Sequence, residues 1–322
     1  MTPRQIEVLK AVDAAGSVRG AARALGCDPS TVRDALHRAK ANGGKVAPVA
    51  PIAVQPRGLR MLILEDVQAK AGTDFSFLKR IGQYAVDKRP DVLVCIGDFA
   101  DMESLSSYDK SKKSYEGRRY SKDIAAAHEA MSAFVTPMVD YNAAHPEAPY
   151  KPRMVMCLGN HENRINRAIE EDPMLAGTIS VDDLQYEAFG WEVYPFLEVV
   201  VIEGVAFAHY FVTGVRGQPA STAAAQLRVA NMSCCAGHQQ GKQIAYAKRA
   251  DGAILTSIIS GSCYEHYEGF LGPQTNKQHW RGFFMLHDVR NGTFDEMPVS
   301  LSFINQRYPD IHVASDYAKD PQ

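Results

Sequence analysis

The sequence predicts an α/β body with a largely buried sheet, preceded by a small all-α module. Three observations carry this. From Arg60 onward short apolar runs alternate with helical patterns, as in sheets layered against helices. The first 45 residues instead show three short helical patterns with cap signals. Between them lie Gly43, Gly44, Pro48, Pro51, Pro56 and Gly58. Proline there removes backbone donors and glycine adds freedom, as in a linker. The expected organisation is a head over residues 1–45, a linker over 46–59 and a body over 60–322.

In the head, Thr2 caps a first helix, with Pro3 in its first turn and Gln5 completing a capping box. Ile6, Leu9 and Val12 repeat on one face, and Gly16 ends the helix. Ser17 caps a second helix through Leu25, ended by Gly26. Asp28 and Pro29 start a third, with Val32, Ala35 and Leu36 inward and Ser30, Thr31, Arg33, Asp34 and His37 outward. In the body, RMLIL, DVLVCI, RMVMCL, LEVVVIE, VAFAH and ILTSIIS read as strands, and FSFLKRIGQYAV and DIAAAHEAMSAFVTPMV as helices. There is no internal repeat, and the C-terminal YPDIHVASDYAKDPQ is polar enough to fray.

Composition narrows the function classes. At 46% hydrophobic and 22% charged residues the 322-residue chain is ordinary globular protein. A net charge of −2 excludes a chain that coats nucleic acid along its whole length. The charge is uneven, however: residues 1–45 carry eight basic residues against four acids, +4, leaving −6 for the rest. A basic head on an acidic body suggests modules with different partners. The six cysteines form no C-x-x-C pair or zinc spacing, and Cys95, Cys157, Cys234 and Cys235 lie in apolar runs. They read as small buried hydrophobes in a reducing compartment. No apolar run nears the roughly 20 residues of a membrane span, and charges run through the N-terminus. A cytoplasmic protein without membrane contact is expected; the oligomeric state is left open.

Five polar clusters each follow an apolar, strand-like run: Asp66 and Gln68 in LILEDVQ; Asp98 and Asp101 in VCIGDFAD; Asn160, His161, Glu162 and Arg164 in VMCLGNHENR; His209 in VAFAHY; His238 and Gln240 in CCAGHQQ. Loops at the carboxyl ends of strands form the ligand crevice of α/β sheets, so distant segments can converge there. Singly, each has an ordinary structural reading as a turn or a hydrogen-bonded histidine. In this order, D-x-Q, G-D-x-x-D, G-N-H-E, H and G-H-x-x resemble the calcineurin-like metallophosphoesterases, whose pattern is D-x-H, G-D-x-x-D, G-N-H-[ED], H and G-H-x-H. The resemblance covers roughly residues 60–290.

The resemblance implies a four-layer α/β/β/α sandwich and two divalent metal ions about 3.5–4 Å apart. Asp98 would bridge the ions. Asn160, His209 and His238 would complete one, and Asp66 would hold the other. His161 would sit beside them, donating to a phosphate oxygen or protonating the leaving oxygen. The chemistry suits the residue types: two cations offset the negative charge of a phosphoester and acidify water near neutral pH. Carboxylate, amide and imidazole donors favour Mn²⁺, or mixed iron and zinc, over thiolate-loving ions.

Two positions depart from the pattern. Gln68 and Gln240 stand where the family has histidines, and in the family both histidines bind the ion that Asp66 holds. One site is altered as a unit. Either it binds through oxygens of Asp66, Gln68, Asp98 and Gln240, favouring Mn²⁺ or Mg²⁺; or it is weak and fills with substrate; or it is dead and the domain only binds. Retention of Asp66, His161 and the whole G-D-x-x-D favours the first two.

For substrate, residues 107–122 interleave six basic residues, Arg118 and Arg119 among them, with Tyr108, Tyr115 and Tyr120, a pattern suited to a polyanion with stacking bases. A solvated, mobile loop is the plain alternative. Arg164 is a second phosphate clamp. Asp101 is expected to orient a ligand loop, His128 to be structural, and Trp280 to lie in the core. The head resembles the helix-turn-helix DNA-binding fold, with Ser30, Thr31, Arg33 and His37 facing base edges or phosphates. The leading expectation is a metal-dependent phosphodiesterase or nuclease acting on DNA, hydrolysis resting on the motifs and the substrate on the head and the basic loop; by analogy alone, such a fusion is similar to proteins of phages and mobile elements. The alternatives are a phosphomonoesterase or cyclic-nucleotide phosphodiesterase, or a catalytically weak DNA-binding regulator.

Overall fold

The computed structural model describes residues 2–41, 57–268 and 272–313. The chain divides into two compact units, Met1–Pro56 and Arg57–Gln322. Most of the interval read as linker, and the last nine residues read as fraying, lie outside the described residues.

The first unit holds three helices, α1 (Pro3–Ala15), α2 (Val18–Ala24) and α3 (Pro29–Ala41). Their ends follow local chemistry. Thr2 and Gln5 form the capping box of α1, and Gly16 closes it in left-handed backbone. Ser17 caps α2. Oδ1 of Asp28 accepts the amide and hydroxyl of Ser30 at the start of α3. Val8, Ala21, Ala22 and Val32 form the core, joined by Ala11, Val12, Ala35 and Leu36. The buried stripe of α1 is thus Val8, Ala11 and Val12, offset from the expected Ile6, Leu9 and Val12, because the alanine pair of α2 admits Val8 most closely. Ser30, Thr31, Arg33, Asp34 and His37 are all exposed.

The second unit runs β1 (Leu59–Leu64), α4 (Ser76–Lys88), β2 (Val92–Cys95), α5 (Tyr120–Ala144), β3 (Arg153–Cys157), α6 (Arg164–Glu171), β4 (Glu192–Tyr194), β5 (Val200–Ile202), β6 (Val205–Phe207), β7 (Val212–Thr213), β8 (Gln218–Pro219), α7 (Ala223–Ala230), β9 (Cys234–Ala236), β10 (Lys242–Lys248), β11 (Ile254–Ser260), α8 (Gly272–Gln278), β12 (Gly282–Arg290), β13 (Thr293–Ser300) and α9 (Leu301–Arg307). One sheet has the order β13-β12-β1-β2-β3-β4 and the other β10-β11-β9-β6-β5. The strands β1 to β4 are mutually parallel, as are β6, β9 and β11. Arg57 pairs with Asp91, and Gly58 donates to Asp288, so the body begins inside the interval read as linker.

The period-2 alternation of β1 sorts two cores. Met61 and Ile63 face an inter-sheet core with Val94, Val155, Phe207, Cys235 and Phe284. Leu62 and Leu64 face helices α4 and α5 through Leu78, Ile81, Ala127 and Phe134. On the far side of the second sheet, Ala206 and Cys234 pack against Leu227 of α7. The layers are therefore helices, sheet, sheet and helix. The β12–β13 hairpin and β10 were absent from the sequence reading; Pro298 and the charges of TFDEMPVS mask an edge strand. The Asn291-Gly292 turn is the signal that reveals the hairpin, with φ of 49° and 80°. Cys95, Cys157, Cys234, Cys235 and Cys263 are buried thiols. His128 bonds the carbonyl of Asp183, and Trp280 packs on Phe284 beside the inter-sheet core.

Candidate metal centre

Every predicted metal-ligating residue follows a strand: Asp66 and Gln68 after β1, Asp98 after β2, Asn160 after β3, His209 after β6, and His238 and Gln240 after β9. Because these strands are parallel within their sheets, their carboxyl ends deliver the loops to one rim. The ladder continues beyond β1: the amides of Asp66 and Gln68 donate to the carbonyls of Gly97 and Asp98 at 3.1 and 2.8 Å.

One ligand atom from each of Asp98, His209 and His238 lies within 4.8 Å of the others. Oδ2 of Asp98 stands 3.4 Å from Nε2 of His209, and Oδ1 of Asn160 stands 2.9 Å from the same nitrogen. A carbonyl only accepts, so the 3.0 Å contact from Nδ1 of His209 to Ile96 fixes the Nδ1–H tautomer for the neutral ring. Its Nε2 lone pair then faces two oxygens. Such a convergence of lone pairs needs a proton or a cation at its centre. Burial pulls the His209 pKa down, but Asp98 outweighs it and raises it to about 9. Burial, and then His209, lower His238 to about 4. Asp98 is held below the usual carboxylate range, against burial, by His161 and His209.

Asp66 is fully buried. Its Oδ2 accepts the amide of His238 at 2.7 Å, while Oδ1 has no partner. Burial first, and Asp98 second, push it up to about 8. An orphaned buried oxygen, an imidazole lone pair turned on two oxygens, and a carboxylate between them fit a cation. Gln68 is buried and lines a cavity of about 370 Å³ with Gln240, His161 and Arg164. Oε1 of Gln240 is 2.9 Å from the hydroxyl of Tyr264.

Asp66, Gln68, Asp98, His238 and Gln240 all hold left-handed backbone, with φ from 38° to 66°. That conformation is uncommon without glycine and persists only where surroundings over-determine it, as at ligand clamps. The motif glycines give the clamp room. A Cβ on Gly159 would lie 2.1 Å from Oδ1 of Asp98, and one on Gly237 would lie 2.5 Å from Oδ2 of Asp66.

His161 lies beside this centre. Its Nε2 is 3.7 Å from Asp98 and its Nδ1 is 3.0 Å from Oδ1 of Asp101. Burial pulls its pKa down, but Asp98 and Asp101 raise it overall. Asp101 sits against the Nδ1 edge of the ring, although the two are not aligned for a hydrogen bond. Arg164 donates to the carbonyl of Asp101 at 2.8 Å and stands 2.9 Å from Nε2 of His161, so it is a held cation at the cavity wall.

The basic loop differs from a free clamp. Arg118 is bound by Asp109 at 2.8 Å and Glu103 at 3.3 Å, and Lys112 is bound by Asp109. Arg119 is exposed and donates to the neighbouring carbonyl of Arg118. Of the acids that neutralise this loop, Asp109 lies within the same stretch of sequence and Glu103 just before it, but pairing is set by the loop's fold.

Sequence reasoning assigned no role to Glu162. Buried, it accepts the amides of Asp98, Ala100 and Gly159 at 3.0, 2.8 and 2.8 Å, tying two ligand loops together. Its place in G-N-H-E was the available signal. Glu65, fully buried beside Asp66, was also missed; burial and Asp66 push its carboxyl well up. Among the described residues no helix is long and apolar enough to cross a membrane.

Two proteins are among those whose solved structures are similar to this chain. One is YfcE, a phosphoesterase from E. coli, at 12% identity, covering 76% of this chain and 100% of that one, with a TM-score of 0.32. The other is a dimetal phosphatase from Danio rerio, at 10% identity and the same coverages, with a TM-score of 0.35. No family model and no curated protein matches the chain.

Proposed function

We propose that the chain is a metal-dependent phosphoesterase, acting as a phosphodiesterase or nuclease on DNA, with two divalent ions of which Mn²⁺ is the best fit. The single observation that carries the reading is the convergence of Asp98, His209 and His238, with Oδ1 of Asn160 on the same His209 nitrogen, together with the orphaned oxygen of Asp66. The ions would be held by Asp98, Asn160, His209 and His238 at one position, and by Asp66, Asp98, Gln68 and Gln240 at the other. When bound they supply positive charge that offsets a phosphoester and acidifies water.

The chain's own residues do the rest. His161 stands between Asp101 and Arg164 beside the centre, placed to act on a phosphoryl or leaving oxygen once its Nε2 is released from the Arg164 donor. Arg164, anchored on the Asp101 carbonyl, places a second donor beside it. Ile96 holds the His209 tautomer, a common way to orient a ligating imidazole. The choice of DNA is supported by the +4 head and the exposed Thr31, Arg33 and His37 on α3.

The test is to incubate the full chain with Mn²⁺ and a bis-aryl phosphodiester, an aryl monoester, and labelled single- and double-stranded DNA. DNA cleavage abolished by Asp98→Ala is the expected result. Turnover of small esters with DNA untouched supports a phosphatase or small-diester enzyme instead. DNA binding without hydrolysis of anything leaves a regulator and overturns the enzyme reading.

A further inference from the structure

The loop after β2 holds one ring in a position its charges do not explain. Tyr108 is 83% exposed. A single exposed aromatic needs no account by itself, but this one stands between two cavities. It lines the 370 Å³ cavity of Gln68, His161 and Gln240, and also a second of about 420 Å³ with Asn160, Arg167 and Lys110. Arg164 is the other residue shared by both.

The support beneath Tyr108 is built. Tyr115 donates to the carbonyl of Ser104 at 2.6 Å, Arg118 bridges Glu103 and Asp109, and the Ser104 amide donates to buried Asp123. The cations of this loop nearest the cavity are neutralised by its own acids, so what it offers there is the ring. A cation comes from the other side. Arg167, one helical turn after Arg164 on α6, is exposed, and its guanidinium has no polar partner among the described residues. It lines the second cavity beside Asn160.

An exposed ring between the cavity of the candidate metal centre and one lined by Arg164, Arg167 and a Lys110 paired with Glu171, with Asp172 beside them, suits a base joined to two phosphates. Bases stack on aromatic faces with little sequence preference. We propose that Tyr108 is a stacking platform for the nucleoside adjoining the scissile phosphate, with Arg167 taking the next phosphate, so that the substrate is a nucleotidic diester. The placement relative to the scissile bond rests on the phosphoesterase reading; the base-binding subsite does not.

Calorimetry on the full chain, treated with chelator to suppress turnover, tests the subsite directly. Thymidine 3′,5′-bisphosphate is compared with 1,2-dideoxyribose 3,5-bisphosphate, which carries both phosphates and lacks only the base. The base preference is expected to fall roughly 5- to 150-fold in Tyr108→Ala and to survive in Tyr108→Phe, while Arg167→Ala weakens the bisphosphate with the ring intact. No base preference in the native chain overturns the proposal, as does a Tyr108→Ala loss equal for both ligands. Hydrolysis is read separately: if Mn²⁺-loaded protein leaves the p-nitrophenyl ester of thymidine 5′-phosphate intact while the base preference stands, the phosphoesterase reading fails and the subsite remains.

Discussion

The hydroxyl of Tyr264 lies 2.9 Å from Oε1 of Gln240 and 2.8 Å from Nδ1 of His279. Tyr264 is fully buried and stacks on His266 at 4.3 Å, so it cannot swing away. Burial, and then Arg281, lower the His279 pKa and keep that ring neutral. A neutral ring donates through Nδ1–H to the phenol oxygen, and the phenol proton goes to Gln240. An amide oxygen has two lone pairs; Tyr264 takes one and fixes the direction of the other.

Tyr264→Phe removes that restraint at little cost in volume. If Gln240 helps hold the second ion, Mn²⁺ affinity at the weaker of two sites falls about 10- to 100-fold, while the tighter site is unchanged. Mn²⁺ titration followed by electron paramagnetic resonance reads both sites without turnover. Unaltered binding at both means that Gln240 is not a ligand.

Glu162 gives a stability prediction. Three buried amides, those of Asp98, Ala100 and Gly159, converge on its carboxylate. Each buried donor left without an acceptor costs about 1–3 kcal/mol. Glu162→Ala is expected to destabilise the body by several times that unit cost, and Glu162→Gln, which keeps one oxygen, by about 2 kcal/mol. Urea unfolding measures both. Equal and small losses would mean that water satisfies the three amides.

The residues of the centre were legible because the chemistry needs particular side chains at strand ends, and strands are visible as apolar runs. Asp98, Asn160, His209 and His238 meet although 29 to 62 positions separate successive members of the set. What was not legible is pairing. Arg118 read as a free clamp because charge along a sequence does not say which acid faces which base, and the fold turns Asp109 and Glu103 onto it. Nor was the contact of Tyr264 with Gln240 legible, because it joins segments 24 positions apart. The face of α1 was misjudged because a three-helix seam is set by where small residues allow approach, here Ala21 and Ala22.

The head predicts a salt-dependent contact. Arg33 is exposed on α3 and no ion pair holds it among the described residues. If α3 meets DNA phosphates, Arg33→Ala weakens binding of the full chain uniformly across sequences. It also reduces the slope of log affinity against log salt by about 1. Fluorescence anisotropy over a salt series measures both. Removal of residues 1–45 with no loss of DNA affinity would show that the head is not the DNA module.

Asp109 predicts an acid limb of stability. Burial alone would raise its carboxyl, but hydrogen bonds from Lys112 and Arg118 hold it down to about 2. A carboxylate depressed in the folded state adds stability that is fully present above its unfolded pKa, near 3.8, and is lost as pH falls through the folded value. The window is therefore about pH 4 to pH 2. Native chain and Asp109→Asn should differ in stability by a constant amount above pH 4. The gap should close as pH falls through that window, because the native chain loses what the variant never had. The same substitution removes one of the two acids that hold Arg118 and leaves Glu103 alone on it, so the loop loosens and cleavage within residues 106–119 by trypsin should quicken at neutral pH. Acid unfolding followed by circular dichroism gives the first result and peptide mapping the second. A gap that persists unchanged to pH 2 would show that the carboxylate does not depend on these two cations.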